Sequence, residues 1–147
     1  MRIVIDTNVL IDGFKDEHSY EKRIINAVIN GEIEAFANKQ TLRENRFIAN
    51  NLIDSSEYHK ELNSLFAQIT DVINRRQVQI VRDKEDNKIL ESAVEARADY
   101  LITSDKALLE IEKYRGVKIV TPIEFWKDYK DEGMDWWKQM TNFVQNN

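Results

Sequence analysis

The sequence predicts a three-layer α/β/α sandwich with a central, mainly parallel five-stranded sheet. Two observations carry that expectation. Short apolar runs of strand length alternate with helix-length amphipathic patterns along the 147 residues, and parallel strands need crossovers of that kind. The first of the runs, Ile3, Val4 and Ile5, also reads as a buried strand. No repeat, low-complexity tract or linker interrupts the pattern, which reads as one domain over residues 1–130 with residues 131–147 as a helical extension of it.

Residues 2–5 form strand one. From Ser19 to Asn30, Ile24, Ala27 and Val28 recur at helical spacing, and Gly31 is placed to close that helix. IEAFA, residues 33–37, reads as strand two. A helix follows from Thr41, because Thr41-x-x-Glu44 has the form of a capping box. Residues 56–75 read as a longer helix, with Tyr58, Leu62, Leu65, Phe66, Ile69 and Ile73 along one stripe. Arg75 and Arg76 fall at its end. QVQIV, residues 77–81, reads as strand three, and the helix after it gathers Ile89, Leu90, Ala93 and Ala96. YLIT, residues 100–103, is strand four, followed by a short helix through Leu108, Leu109 and Ile111. Gly116 introduces VKIV, strand five. Thr121, Pro122 and Glu124 then supply the cap and first turn of another helix. In the extension, Trp136, Trp137, Met140, Phe143 and Val144 fall on an amphipathic stripe. Packing on its own domain explains that stripe, and so does a surface for a second subunit or a partner.

Composition narrows the class. With 42% hydrophobic and 32% charged residues the chain fits a soluble globular protein, and no apolar run approaches the roughly 20 residues that span a bilayer. The N-terminus does not have the sections of a signal peptide. The absence of cysteine excludes disulfides and thiolate metal sites and suits a cytoplasmic protein. A net charge of −5 argues against holding nucleic acid by bulk attraction. A cation-binding acidic cluster would make that count too negative for the loaded protein.

In an open parallel sheet, ligands bind outside the C-terminal ends of the strands. Asp6 follows strand one directly, Asp105 follows strand four and Ser104, Asp86 lies after strand three, and Glu44 opens the helix after strand two. Four acids remote in sequence are thus aimed at one edge. Like charges held close raise one another's pKa, and Mg²⁺ or Mn²⁺ resolves that conflict with hard oxygen ligands. His18 and His59, both on helices or their approaches, give no basis for a zinc site. Each acid also has a structural reading. Asp6, Asp86 and Asp105 suit helix caps, and a capping box explains Glu44. Asp12, Asp16, Asp83, Glu85 and Asp99 read as surface or capping residues.

Two stretches carry a resemblance. IVIDTNVL, residues 3–10, is similar to the strand-one motif of the PIN-domain family of metal-dependent ribonucleases. KEDNKILESAVEARADYLITSDKALL, residues 84–109, resembles the family pattern of an acid opening a helix, a following A-D-Y-h-h-T, and a final Asp before Lys and a leucine-rich turn. TLREN supplies the acid of the second helix, and TPIEFW looks like the last strand-to-helix junction. Within the family the chain looks most like VapC-type toxins of toxin–antitoxin pairs. The resemblance covers about residues 1–130 and implies a PIN-like fold.

Carried over by position, Asp6, Glu44, Asp86 and Asp105 match the acidic quartet as catalytic and metal-binding residues. Asn8 and Ser104 match the supporting polar groups. Glu57 and Glu61 compete weakly with Glu44, and Asp83 with Asp86. The resemblance implies Mg²⁺- or Mn²⁺-dependent hydrolysis of RNA, with one or two ions and 5′-phosphate and 3′-hydroxyl products. It also implies a small antitoxin partner and a homodimer. Lys39, Arg43, Arg46, Lys88 and Lys106 flank the edge and are the candidates for RNA contact. The competing expectations are a housekeeping RNA-processing nuclease and a non-catalytic PIN binding module. A receiver-like signalling domain would need an acid pair after strand one, and only Asp6 stands there. No glycine-rich phosphate loop is present.

Overall fold

Ile3, Val4 and Ile5 are all buried, so β1 (Arg2–Ile5) faces apolar layers on both sides. The computed structural model describes residues 1–52 and 54–146. From β1 the chain runs through α1 (Thr7–Lys15), α2 (Tyr20–Ile29), β2 (Glu34–Asn38), α3 (Lys39–Leu52), α4 (Ser56–Gln68) and β3 (Thr70–Val72). It continues through α5 (Lys84–Glu95), β4 (Tyr100–Ile102), α6 (Lys106–Leu109), β5 (Lys113–Tyr114), β6 (Val117–Val120) and α7 (Pro122–Gln145). The six strands lie in the order β3-β2-β1-β4-β6-β5, parallel except for β5.

Strand alternation divides the core. Ile3, Ile5, Ala35, Ala37, Tyr100 and Ile102 face one layer, which contains Val9 of α1, Ile24, Ile25 and Val28 of α2, Leu62 and Leu65 of α4 and Phe125 of α7. Val4, Phe36, Leu101 and Ile119 face the other, formed by Ile89, Leu90 and Ala93 of α5 with Leu108 of α6. The three-layer expectation holds, with six strands rather than five. The additional strand, β5, is a two-residue edge that folds back on β6 through Arg115 and Gly116, both at positive φ.

Three local expectations are corrected. QVQIV is not a strand. Its period-two pattern reflects Val78, buried against α5, while side chains of that helix satisfy the backbone. Glu91 accepts from the Val78 N–H at 2.9 Å, and Asn87 accepts from Ile80 and Val81 and donates to the Val81 carbonyl. The third strand is instead Thr70–Val72, inside the stretch read as helix through residue 75. α4 stops at Gln68, where Ile69 takes up extended backbone. Arg75 and Arg76 therefore follow a strand rather than end a helix, and the Arg75 N–H donates to Glu95. Finally, α3 starts at Lys39, not Thr41. Asn38 Oδ1 accepts from the Thr41 N–H at 2.7 Å and does the capping assigned to Thr41, which puts Glu44 in the second turn. The cap of α7 is as read: Thr121 and Glu124 complete the capping box, with Pro122 at its first turn.

α2 and α5 end in the same way. Gly31 and Glu32 donate back to Val28 and Ala27, and Arg97 and Ala98 donate back to Val94 and Ala93. This double bond pattern needs a left-handed residue just past the helix. Gly31 supplies it at φ +76°, whereas α5 uses Arg97 at φ +50°. Because a side chain is strained there, Arg97→Gly is expected to stabilise the fold by about 0.5–1 kcal/mol in urea denaturation.

α7 runs unbroken to Gln145. Met134, Trp137, Met140, Phe143 and Val144 on its distal half are largely exposed. The Trp136 side chain, named in the expected stripe, lies outside the described residues.

Candidate active site

The parallel register sets up the site. One step beyond the Ile5–Ile102 pair, Asp6 meets Thr103, and two steps beyond Val4–Phe36 it meets Asn38. Asn38 in turn pairs with Val72. A row of side chains thus crosses the C-terminal edge of the sheet, with Asp6 at its centre.

Asp6 is only 5% exposed. Its N–H donates to the Ile102 carbonyl at 2.9 Å, extending the ladder one residue past β1. A carboxylate in that position is costly unless it is hydrogen-bonded. Thr103, fully buried, donates its hydroxyl to Asp6 Oδ2 at 2.7 Å and accepts from the Asp105 N–H at 3.0 Å. One hydroxyl therefore ties the two acids together. Although Asp6 occupies the N-cap position of α1, its side chain makes no capping bond. Asp105 does cap α6, accepting from the Leu108 N–H at 3.2 Å. Asp86 is in the first turn of α5, whose cap is Asp83, bonded to the Glu85 N–H at 2.8 Å. Capping thus occupies Asp83 and not Asp86.

Burial, first of all, raises the pKa of Asp6. The charge of Asp105 adds to the rise, while the Thr103 hydroxyl and the amides of Thr7 and Asn8 oppose it. Asp86 is pushed up to about 6, chiefly by burial and then by the charges of Asp105, Asp83, Asp6 and Glu85. Asp6, Asp86 and Asp105 are therefore within electrostatic reach of one another. Among the described residues, no three histidine or acidic side chains converge tightly enough to grip an ion as placed. The two observations are compatible, because repulsion acts over several ångströms whereas Mg²⁺ requires oxygens at roughly 2.0–2.1 Å. Chemically the set fits a hard divalent cation: it is all oxygen, and Asp6 and Asp86 are raised first by burial and then by neighbouring negative charge, which a cation would offset.

The other named residues are spread around this row. Glu44 is exposed on α3 and accepts from Gln40 at 3.2 Å, and Gln40 in turn accepts from Lys88 at 3.4 Å. Asn8 and Ser104 are exposed. Glu57 is exposed at the start of α4, and Glu61 is paired with Lys22. Lys39 and Arg43 are exposed on α3, Arg46 lies over the Phe66 ring, Lys88 also bonds Glu85 at 3.1 Å, and Lys106 follows Asp105.

Sequence reading missed two residues. Thr103 reads in sequence only as the last residue of strand four, although its place directly beside Asp6 follows from strand pairing. Asn45, 4% exposed, accepts from the Thr7 hydroxyl and so anchors α3 to the start of α1. Thr103→Val keeps the shape but removes both bonds. The expected result is a loss of about 1–3 kcal/mol in urea denaturation and a marked drop in turnover, with Thr103→Ser restoring both.

A mainly parallel sheet that carries carboxylates at its C-terminal edge, one of them buried, defines an α/β domain with an acidic candidate site. The chain belongs to the PIN domain family, whose profile matches residues 2–107. PIN domains are in general metal-dependent nucleases that act on RNA. The chain is also similar to an uncharacterized protein of Methanocaldococcus jannaschii, with 26% identity over 145 aligned residues covering 88% of this chain and 92% of that protein. Among the described residues, no helix is long and apolar enough to cross a membrane.

Proposed function

We propose that this protein is a Mg²⁺- or Mn²⁺-dependent endoribonuclease acting in the cytoplasm as the toxin of a toxin–antitoxin pair. The observation that supports this most strongly is the buried Asp6, tied through Thr103 to Asp105 with Asp86 in electrostatic reach. Asp6, Asp86 and Asp105 would hold one or two ions, with Glu44 as an outer partner. A bound ion would supply an activated water and offset negative charge on the phosphate being cleaved. Thr103 fixes the direction of Asp6 and favours its ionised form. Asn8 and Ser104 are proposed as outer polar groups around the same acids. Lys39, Arg43, Arg46, Lys88 and Lys106 would draw the RNA backbone to this edge. A homodimer and a small antitoxin are the proposed protein partners.

The test is cleavage of structured RNA with Mn²⁺, with and without chelator. Metal-dependent cutting that Asp105→Asn removes supports the nuclease; equal cutting by the variant rejects the site. Induced expression addresses the biological role. Growth arrest that Asp105→Asn abolishes supports a toxin, whereas unimpaired growth with active enzyme points to RNA processing.

A further inference from the structure

A cavity of about 320 Å³ opens beside the acids, between the ends of β2 and β3 and the side of α5. Asn38, Lys39, Val72, Ile73 and Lys88 form much of its wall. We infer that this cavity seats the nucleotide next to the scissile phosphate of single-stranded RNA, holding it by charge and apolar contact without reading the base. The inference rests on the nuclease reading above and extends it to a substrate subsite.

Four observations carry it. The first is position. Asn38 is the strand neighbour of Asp6 and Val72 the neighbour of Asn38, so the lining begins one strand over from Asp6, with backbones roughly 4.8 Å apart, and continues to the next strand. The second is charge. Lys39 from α3 and Lys88 from α5, the latter also paired with Glu85 at 3.1 Å, approach from two elements. Glu91, the acid in the wall, is turned to the Val78 N–H at 2.9 Å and to Asn74 at 3.4 Å. A phosphate is therefore favoured at the lysine end. The third is apolar surface, since Ile73 is 70% exposed at the rim and Val72 lies beneath it. An exposed branched side chain beside two lysines offers a base or ribose something to lie against. The fourth is the state of the polar wall. Asn38 bonds Ser92 and the Thr41 N–H, Asn74 bonds Ser92, Lys88 and Glu91, and Gln40 bonds Lys88 and Glu44. Base selection needs donors and acceptors that are available to the base, and these side chains are already committed to one another.

Size sets the form of the RNA. About 320 Å³ is near the lower end of small-molecule pockets, roughly 300–1,000 Å³, and suits one nucleotide. The depression is open to solvent, and an unpaired base in a loop or at an end can turn onto its apolar rim, whereas a base stacked within a duplex does not.

The experiment is fluorescence anisotropy with labelled 12-nucleotide oligo(A) and oligo(U), in an Asp6→Asn background so that RNA is not consumed. Lys39→Ala is expected to weaken binding about 5–10-fold for both oligomers and to reduce the slope of log K against log salt by about 0.7. Ile73→Ser should weaken both several-fold with the slope unchanged. Lys113→Ala, on edge strand β5, should match the parent. Lys39 and Ile73 are exposed, and unaltered thermal melts verify that the variants fold. If the parent binds RNA and both cavity variants bind equally well, the subsite is rejected while the nuclease reading stands. If Lys39→Ala or Ile73→Ser discriminates between oligo(A) and oligo(U), the base-tolerant mode is overturned. If the parent does not bind and the wild type does not cleave, the nuclease reading itself fails.

Discussion

Asp6→Asn is expected to lower kcat by at least about 10³-fold and, with chelator present, to make the fold more stable at pH 7. The first half follows from chemistry. Asparagine keeps an oxygen that can accept from the Thr103 hydroxyl, so the geometry at the end of β1 survives, but the negative charge a cation requires is gone. The second half follows from burial. The folded state raises the pKa of Asp6 above the ordinary 3.8, mainly by burial. A group shifted upward contributes stability that is fully present below its unfolded pKa and lost as pH rises through the folded one. At pH 7 the wild type therefore carries a charge its fold disfavours, and asparagine relieves it. Below pH 3.8 the carboxyl is neutral in both states, so the advantage disappears. Urea denaturation of both proteins at pH 3, 5 and 7 with chelator, alongside cleavage assays with Mn²⁺, measures both halves. A variant as active as wild type, or one destabilised equally at pH 3 and pH 7, would make Asp6 a structural residue only. Loss of activity together with a gain in stability is the signature of a site held against its own electrostatics.

The parts legible in sequence are those where a local pattern and a tertiary demand coincide. β1, β2 and β4 hold consecutive apolar residues because both faces are covered, and the Thr121-Pro122-x-Glu124 cap forms as its spacing implies. Legibility fails where the two diverge. Val78 and Ile80 alternate like a strand, but Asn87 and Glu91 supply their backbone partners. Ile69 and Ile73 continue a helical stripe past the point where the chain becomes β3. The places of Asp6 and Asp105 just past β1 and β4 could be read because parallel strand ends share one edge. Asp86, expected to follow a strand at QVQIV, instead sits in the first turn of α5 after a segment that is not a strand. The Thr103 bridge could not be read, because it depends on which residue of β4 stands opposite Asp6, and register is set by packing across the whole sheet. For the same reason the sequence did not reveal that Asn38 rather than Thr41 caps α3, which moves Glu44 a turn along the helix and onto Gln40.

Mn²⁺ is expected to stabilise the wild type by about 2.7 kcal/mol at one hundred times its Kd, and this effect should fade as pH falls below about 6. Asp86 provides the pH dependence. Its carboxyl is pushed up to about 6 by burial and by Asp105, Asp83, Asp6 and Glu85. A cation binds only the deprotonated form, so each pH unit below that value costs up to about tenfold in affinity for every proton displaced. With chelator, stability contributed at Asp86 is present below 3.8 and lost as pH rises through about 6. With saturating Mn²⁺, the ion supplies the missing counter-charge and the loss is offset. The two stability curves should therefore separate between pH 5 and 7, and in Asp86→Asn the separation should shrink sharply. Thermal melts across that range in Mn²⁺ and in chelator make the measurement without any RNA, so the outcome does not depend on the correct substrate being found. Superimposable curves at every pH would mean that the neighbouring charges raise the pKa of Asp86 without forming a place for a cation. The acids would then be a consequence of topology rather than the centre of a nuclease.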